Sequence, residues 1–190
     1  DALIHAWEAY TSRDASPFSD AMAEKAMELI GANLRRFVAN RQDEEAAAAM
    51  LSGSMFAGIA FAWARLGNIH AMSHPVSAYF HVAHGVANAI ILPTVMEYNA
   101  DATGDKYKYI AQAMGVEGTE NMSQEEYRKA AIDAVRKLSQ DVGIPANLKE
   151  IVKKEDIPFL AQSAYDDACR PGNPKETSVE DITELYKSLI

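Results

Sequence analysis

The nineteen residues from Ala46 to Ala64, AAAAMLSGSMFAGIAFAWA, carry no charge, and Arg65 follows at once. A run of this length is close to what a bilayer crossing needs. Its composition points elsewhere, because Ala, Gly and Ser dominate where a span would carry Leu, Ile and Val. A helix apolar on all sides is also found inside larger helical domains. We therefore read the run as part of a close-packed core helix over about 43–66, with Gly53 and Gly58 where neighbouring backbones approach, and expect no membrane partner.

The rest of the chain agrees with a helical domain. Apolar residues recur at helical spacing, and no stretch alternates with period two. With 190 residues, 48% of them hydrophobic, one domain with a substantial core is expected, all-α in class. Residues 1–12 read as a helix. Ser16 followed by Pro17 is an N-cap with proline at the first helical position, and Met22, Met27, Ile30, Leu34 and Phe37 form the apolar face that follows. Pro75 is expected to kink or interrupt the segment 70–80, and Pro93 to bend or break the helix after Gly85. Further on, 105–114 is a short helix and Ser123 to Glu126 a capping box opening a helix to about Asp141. Short helices follow over 148–153 and 157–169, and TSVE opens the last one, which runs to Ile190.

Charge narrows the function classes. Eighteen Lys and Arg against 27 Asp and Glu leave a net charge of −9, with no basic stripe to neutralise phosphates, so no nucleic-acid partner is expected. No secretory signal pattern opens the sequence, and the single cysteine, Cys169, cannot form an internal disulfide; a cytoplasmic location is expected. No phosphate-cradling glycine motif is present. A Cys/His nucleophile would require Cys169 to meet a histidine through the tertiary fold.

The histidines carry the functional signal. Of five, four fall in NIHAMSHPVSAYFHVAHG, residues 68–85, and the fifth, His5, lies four residues after Asp1. Asp1 and His5 share one helix face, as do His70 and His74. A transition metal needs three or four imidazole and carboxylate groups converging from at least two rigid elements, and this distribution can supply them. Taken one at a time, each histidine has a plainer reading as a satisfied polar group in a core. Confinement of all five to two clusters within apolar sequence favours a site.

DALIHAWEAY, then GIAFAWARLGNIHAMSHPVSAYFHVAHGVANAIILPTVMEYN, and near the end NPKETSVEDITELY, together resemble the C-terminal helical domain of the iron-containing (group III) alcohol dehydrogenases. The resemblance spans essentially the whole chain and implies a dehydroquinate synthase-like C-terminal helical domain over 1–190. Position by position, it implies that Asp1, His5, His70 and His84 bind Fe²⁺ or Zn²⁺, that His74 is the active-site histidine that relays a proton, and that Phe61 lies near the nicotinamide ring. It also implies hydride transfer between a small alcohol and NAD or NADP, or the reverse with an aldehyde, in a homo-oligomeric enzyme. The dinucleotide would be bound mainly by an N-terminal α/β domain that this chain lacks. On this reading the chain is the metal-binding half of such an enzyme and does not oxidise alcohols alone.

Two positions depart from the family pattern. Ala83 stands where proline usually precedes the last ligand histidine, which is expected to loosen the loop presenting His84. His81 replaces a common Asp or Asn, and puts another imidazole near the site. The alternatives are a relative of glycerol dehydrogenase or dehydroquinate synthase, and a non-catalytic helical metal-binding or interaction domain. His74 discriminates, since a module that only holds metal has no need of it.

Overall fold

Ser16 accepts a hydrogen bond from the Ser19 backbone while the Ser19 hydroxyl pairs with the Ser16 N–H, and Pro17 starts the helix between them. This start is one of several that sequence patterning places well in the computed structural model, which describes residues 1–190. Nine α-helices and no strand make up the chain. They are α1 (Ala2–Thr11), α2 (Pro17–Ala39), α3 (Glu44–Ala64), α4 (Asn68–Phe80), α5 (His84–Asn99), α6 (Lys106–Ala113), α7 (Gln124–Asp141), α8 (Ile157–Tyr165) and α9 (Val179–Lys187). The all-α single domain is thus what forms.

Helices α1, α2 and α3 pack on one another, α4 pairs with α5 and α8, α8 with α9, and α6 with α7. One apolar cluster of 37 buried residues runs through all of them, from Trp7 and Met27 to Ile91, Tyr107, Leu160 and Tyr186. Two glycines mark close crossings. A Cβ on Gly53 would meet the Ile30 side chain at 2.7 Å, and one on Gly31 would meet the Ala113 carbonyl oxygen at 2.2 Å. Gly58, expected to be a close approach, faces open space.

Helix α3 corrects the expectation of a core helix. Ala46, Gly53, Ala57, Ala60 and Ala64 form a buried stripe of small residues, which is why α3 lies tight on α1 and α2. The opposite face is apolar and uncovered, with Leu51 at 74% and Trp63 at 67% exposure. The helix ends at Arg65, whose φ of 66° breaks it two residues before the Gly67–Asn68 pair expected to do so.

The prolines also differ from expectation. Helix α4 runs unbroken through Pro75, and α5 through Pro93. Proline removes one intrahelical donor. The carbonyl left without its partner is that of Ala71, four residues back, and one residue on the Met72 carbonyl takes a hydrogen bond from the Tyr186 hydroxyl on α9 at 2.6 Å, which ties this part of α4 to α9. Residues 148–153 form turns rather than a helix, with Ile151 and Val152 N–H groups both donating to the Leu148 carbonyl. Helix α8 stops at Tyr165, short of Cys169.

The turn at 170–173 positions the site. A Cβ on Gly172 would come within 2.1 Å of the Leu66 carbonyl, so only glycine lets this loop seat on the α3–α4 junction. There the buried Asn173 side chain accepts from the Asn68 N–H and exchanges hydrogen bonds with Asn99. That network ties the start of α4 to the end of α5.

Candidate metal centre

Asp1 caps α1, its carbonyl accepting from the Ile4 and His5 N–H groups at 2.8 and 3.1 Å, so its carboxylate and the His5 ring project from one end of that helix. His70 sits in the first turn of α4, fully buried, and His84 is the first residue of α5. Three helix beginnings therefore meet at one point. Asp1 Oδ1 lies 3.7 Å from His70 Nε2 and 3.6 Å from His84 Nε2, and Asp1 Oδ2 lies 3.7 Å from His5 Nδ1. Asp1, His5 and His70 thus offer donor atoms all within 4.8 Å of one another, a grouping that could hold a metal ion, and His84 approaches it through Asp1 Oδ1.

Two further features fit a cation here. The Asn88 amide nitrogen points into the same space, donating to Asp1 Oδ1 at 2.8 Å and lying 3.2 Å from His70 Nε2 and 3.1 Å from His84 Nε2, while its carbonyl oxygen has no partner. A donor group thus sits where acceptors converge. Burial, then the neighbouring His70, pushes the His5 imidazole down to about 4; burial, then His70 and His74, lowers that of His84. Rings held neutral keep the lone pairs a metal requires.

The remaining candidates lie alongside. Phe61 on α3 stacks on the His5 ring at 4.6 Å between centroids, and His5 stacks in turn on His70 at 4.5 Å. His74, one turn beyond His70, stacks on His84 at 5.4 Å. Its Nδ1 is held by Asp167 Oδ2 at 2.7 Å, and Asp167 Oδ1 accepts from the Cys169 N–H at 2.7 Å. Burial raises the Asp167 carboxyl, but the hydrogen bonds from His74 and Cys169 outweigh it, and the net shift is downward. Tertiary approach does bring Cys169 to His74 and Asp167. Its thiol, however, is pushed up to about 12 by burial and then by Asp167, the reverse of an activated nucleophile.

Both departures from the family pattern resolve simply. Ala83 has a φ of −54°, a value proline itself adopts, and its carbonyl accepts from Val86 and Ala87, so the start of α5 is well formed without the ring. His81 is exposed in the left-handed region at the end of α4 and pairs with no ligand.

Sequence reasoning missed three site residues: Asn88, Asp167 and Glu8. Glu8, 3% exposed, places one carboxylate oxygen 2.5 Å from His70 Nδ1 and accepts from the Ile69 N–H with the other at 2.7 Å. A usable signal existed for Glu8, a charged residue amid the apolar face of α1. None existed for Asp167, which is 93 residues from His74.

The C-terminal profile of the Fe-containing alcohol dehydrogenase family matches residues 1–190, the whole chain. This chain belongs to that family. Among Fe-containing alcohol dehydrogenases it is 52% identical to lactaldehyde reductase of Escherichia coli (strain K12) over 187 residues, covering 98% of this chain and 48% of that protein. It is 42% identical to 1,3-propanediol dehydrogenase of Citrobacter freundii, covering 98% of this chain and 48% of that protein. It is 37% identical to the NAD-dependent methanol dehydrogenase of Bacillus methanolicus, covering 100% of this chain and 50% of that protein. The crystal structure of a 1,3-propanediol oxidoreductase superposes with a TM-score of 0.97 at 40% identity, over the full chain and half of the relative. The chain thus spans about half the length of the relatives it matches.

Proposed function

We propose that residues 1–190 form the metal-binding half of a metal-dependent alcohol dehydrogenase, or aldehyde reductase in reverse, acting on a small primary alcohol or diol with NAD or NADP. The observation that carries this reading is the grouping of the Asp1 carboxylate with the His5 and His70 imidazoles from α1 and α4, with His84 at the start of α5 lying 3.6 Å from the same carboxylate. Asp1, His5, His70 and His84 would hold the ion, Fe²⁺ by family and Zn²⁺ equally by donor chemistry. When bound, the metal supplies Lewis acidity at the alcohol or carbonyl oxygen, and the nicotinamide takes or gives the hydride.

The chain's own residues supply the rest. Asp167 accepts from His74 Nδ1 and so orients the ring with Nε2 as the atom that would take the hydroxyl proton during oxidation and pass it to solvent. Phe61 offers an apolar ring beside His5 against which a nicotinamide would rest. The nucleotide would be bound mainly by a separate α/β domain, as the half-length matches suggest. Cytoplasmic location and homo-oligomeric assembly belong to the same proposal.

Metal analysis of anaerobically purified protein, after incubation with Fe²⁺ or Zn²⁺ and desalting, tests it. About one ion per chain is expected, and none in the His70→Ala, His84→Ala double variant. In the full-length enzyme, His74→Ala should cut turnover by about 10²–10⁴-fold while metal content stays near one. Equal metal retention by the double variant, or undiminished turnover without His74, would sink the reading. Residues 1–190 alone are expected to give no NAD(P)-linked turnover.

A further inference from the structure

An imidazole that ligates through Nε2 must carry its proton on Nδ1, and nothing in the ring itself ensures this. Around His70 both nitrogens are constrained. Nδ1 faces Glu8 Oε2 at 2.5 Å, and a carboxylate can only accept, so Nδ1 carries hydrogen. Nε2 lies 3.2 Å from the Asn88 amide nitrogen, whose two hydrogens are shared among this atom, Asp1 Oδ1 and His84 Nε2. In the neutral ring the proton on Nδ1 leaves Nε2 with its lone pair.

Glu8 is itself held on both oxygens. Its Oε1 accepts from the Ile69 N–H in the first turn of α4, a helix whose N-cap, Gly67, has no side chain to offer. A Cβ on Gly67 would come within 3.1 Å of that oxygen, so the missing side chain leaves the room Glu8 fills. The carboxylate therefore caps the helix that carries His70 and orients the His70 ring at the same time. With Glu8 3% and His70 1% exposed, water has no ready access to replace either bond.

We propose that Glu8 is the positioning residue of the metal centre, locking His70 in the tautomer whose Nε2 is free and thereby setting the affinity for the ion. This deepens the reading above and rests on it where metal is concerned. The chemistry predicts an unusual order of variants. Glu8→Gln keeps the shape but brings one acceptor to two donors; with its oxygen on the Ile69 N–H, its NH₂ faces His70 Nδ1 and drives the proton to Nε2, the ligating atom. Glu8→Ala leaves the ring free to take either tautomer. A merely structural role would rank them the other way, with the truncation worse.

Imidazole ¹⁵N spectra of the metal-free protein, followed by Zn²⁺ titration against a competing chelator, test this. The wild type is expected to show His70 protonated on Nδ1, with that signature lost in Glu8→Gln. Zinc affinity should fall about ten- to a hundredfold in Glu8→Gln, and less in Glu8→Ala. His70 protonated on Nε2 in the wild type, or a larger loss in Glu8→Ala than in Glu8→Gln, would overturn the proposal. A locked tautomer lost in Glu8→Gln, in a wild-type protein that takes up no zinc or iron, would uphold Glu8 as the lock and overturn the metal reading instead.

Discussion

Residues of one type play opposite parts in this chain according to what surrounds them. His5 and His84 are kept neutral, while His81 lies exposed at a helix end with no partner. Cys169 shows the same dependence on surroundings. It sits beside a histidine, an arrangement that elsewhere makes a reactive thiolate, yet burial and the Asp167 carboxylate hold its thiol at about 12. At pH 7 iodoacetamide should therefore label Cys169 far more slowly in the native protein than in urea, as read by mass spectrometry. Equal rates would mean the thiol is neither buried nor paired as described. The candidate cluster was legible in the sequence because Asp1 and His5, and His70 and His74, stand at i, i+4 on their helices. The residues that orient them were not, since Glu8 and His70 are 62 apart and no local pattern couples them.

Among the elements, starts were more legible than interiors or ends. Ser16, Ser123 and Ser178 each form a capping box, a reciprocal bond pattern written within four residues. Pro75 and Pro93 misled because their local cost is outweighed by packing on both sides of α4 and α5, and the turn over 148–153 misled because a short apolar pattern does not suffice for a helix. Glycine separates local from tertiary effects cleanly. Gly→Ala within a helix normally stabilises by about 0.5–1 kcal/mol, and Gly58→Ala, facing open space, should do so. Gly31→Ala should instead destabilise by about 1–3 kcal/mol, because its Cβ would overlap the Ala113 carbonyl. Urea unfolding of the two variants decides the matter; the same sign for both would contradict the α2–α6 crossing.

At the scale of the whole molecule, one core ties early and late segments together, and buried tyrosines report on it. Tyr107 and Tyr186 are fully buried, and burial raises both well above the ordinary value. In the unfolded chain they ionise near pH 10. The folded state therefore holds their protons longer, and their contribution to stability is complete below about pH 10 and is lost as pH rises beyond it. Alkaline titration should show these two ionising only together with loss of helical circular dichroism. Smooth tyrosinate formation ahead of unfolding would mean the core is open to hydroxide. The α9 tyrosine also bonds the α4 backbone, so the closing segment helps seat the helix that carries His70 and His74.

Sequence alone determined the helical class and the helix starts, because these are encoded in periodicities and spacings of a few residues; it marked the histidine clusters as a candidate site, while the choice of Asp1, His5, His70 and His84 as ligands rests on the family resemblance. Only the tertiary structure decided that α3 would leave an apolar face uncovered, that α4 and α5 would run through their prolines, and that Glu8, Asn88 and Asp167 would close around the histidines. Those outcomes depend on which groups meet across the core, where a carboxylate from α1 caps a helix and orients a ring tens of residues away.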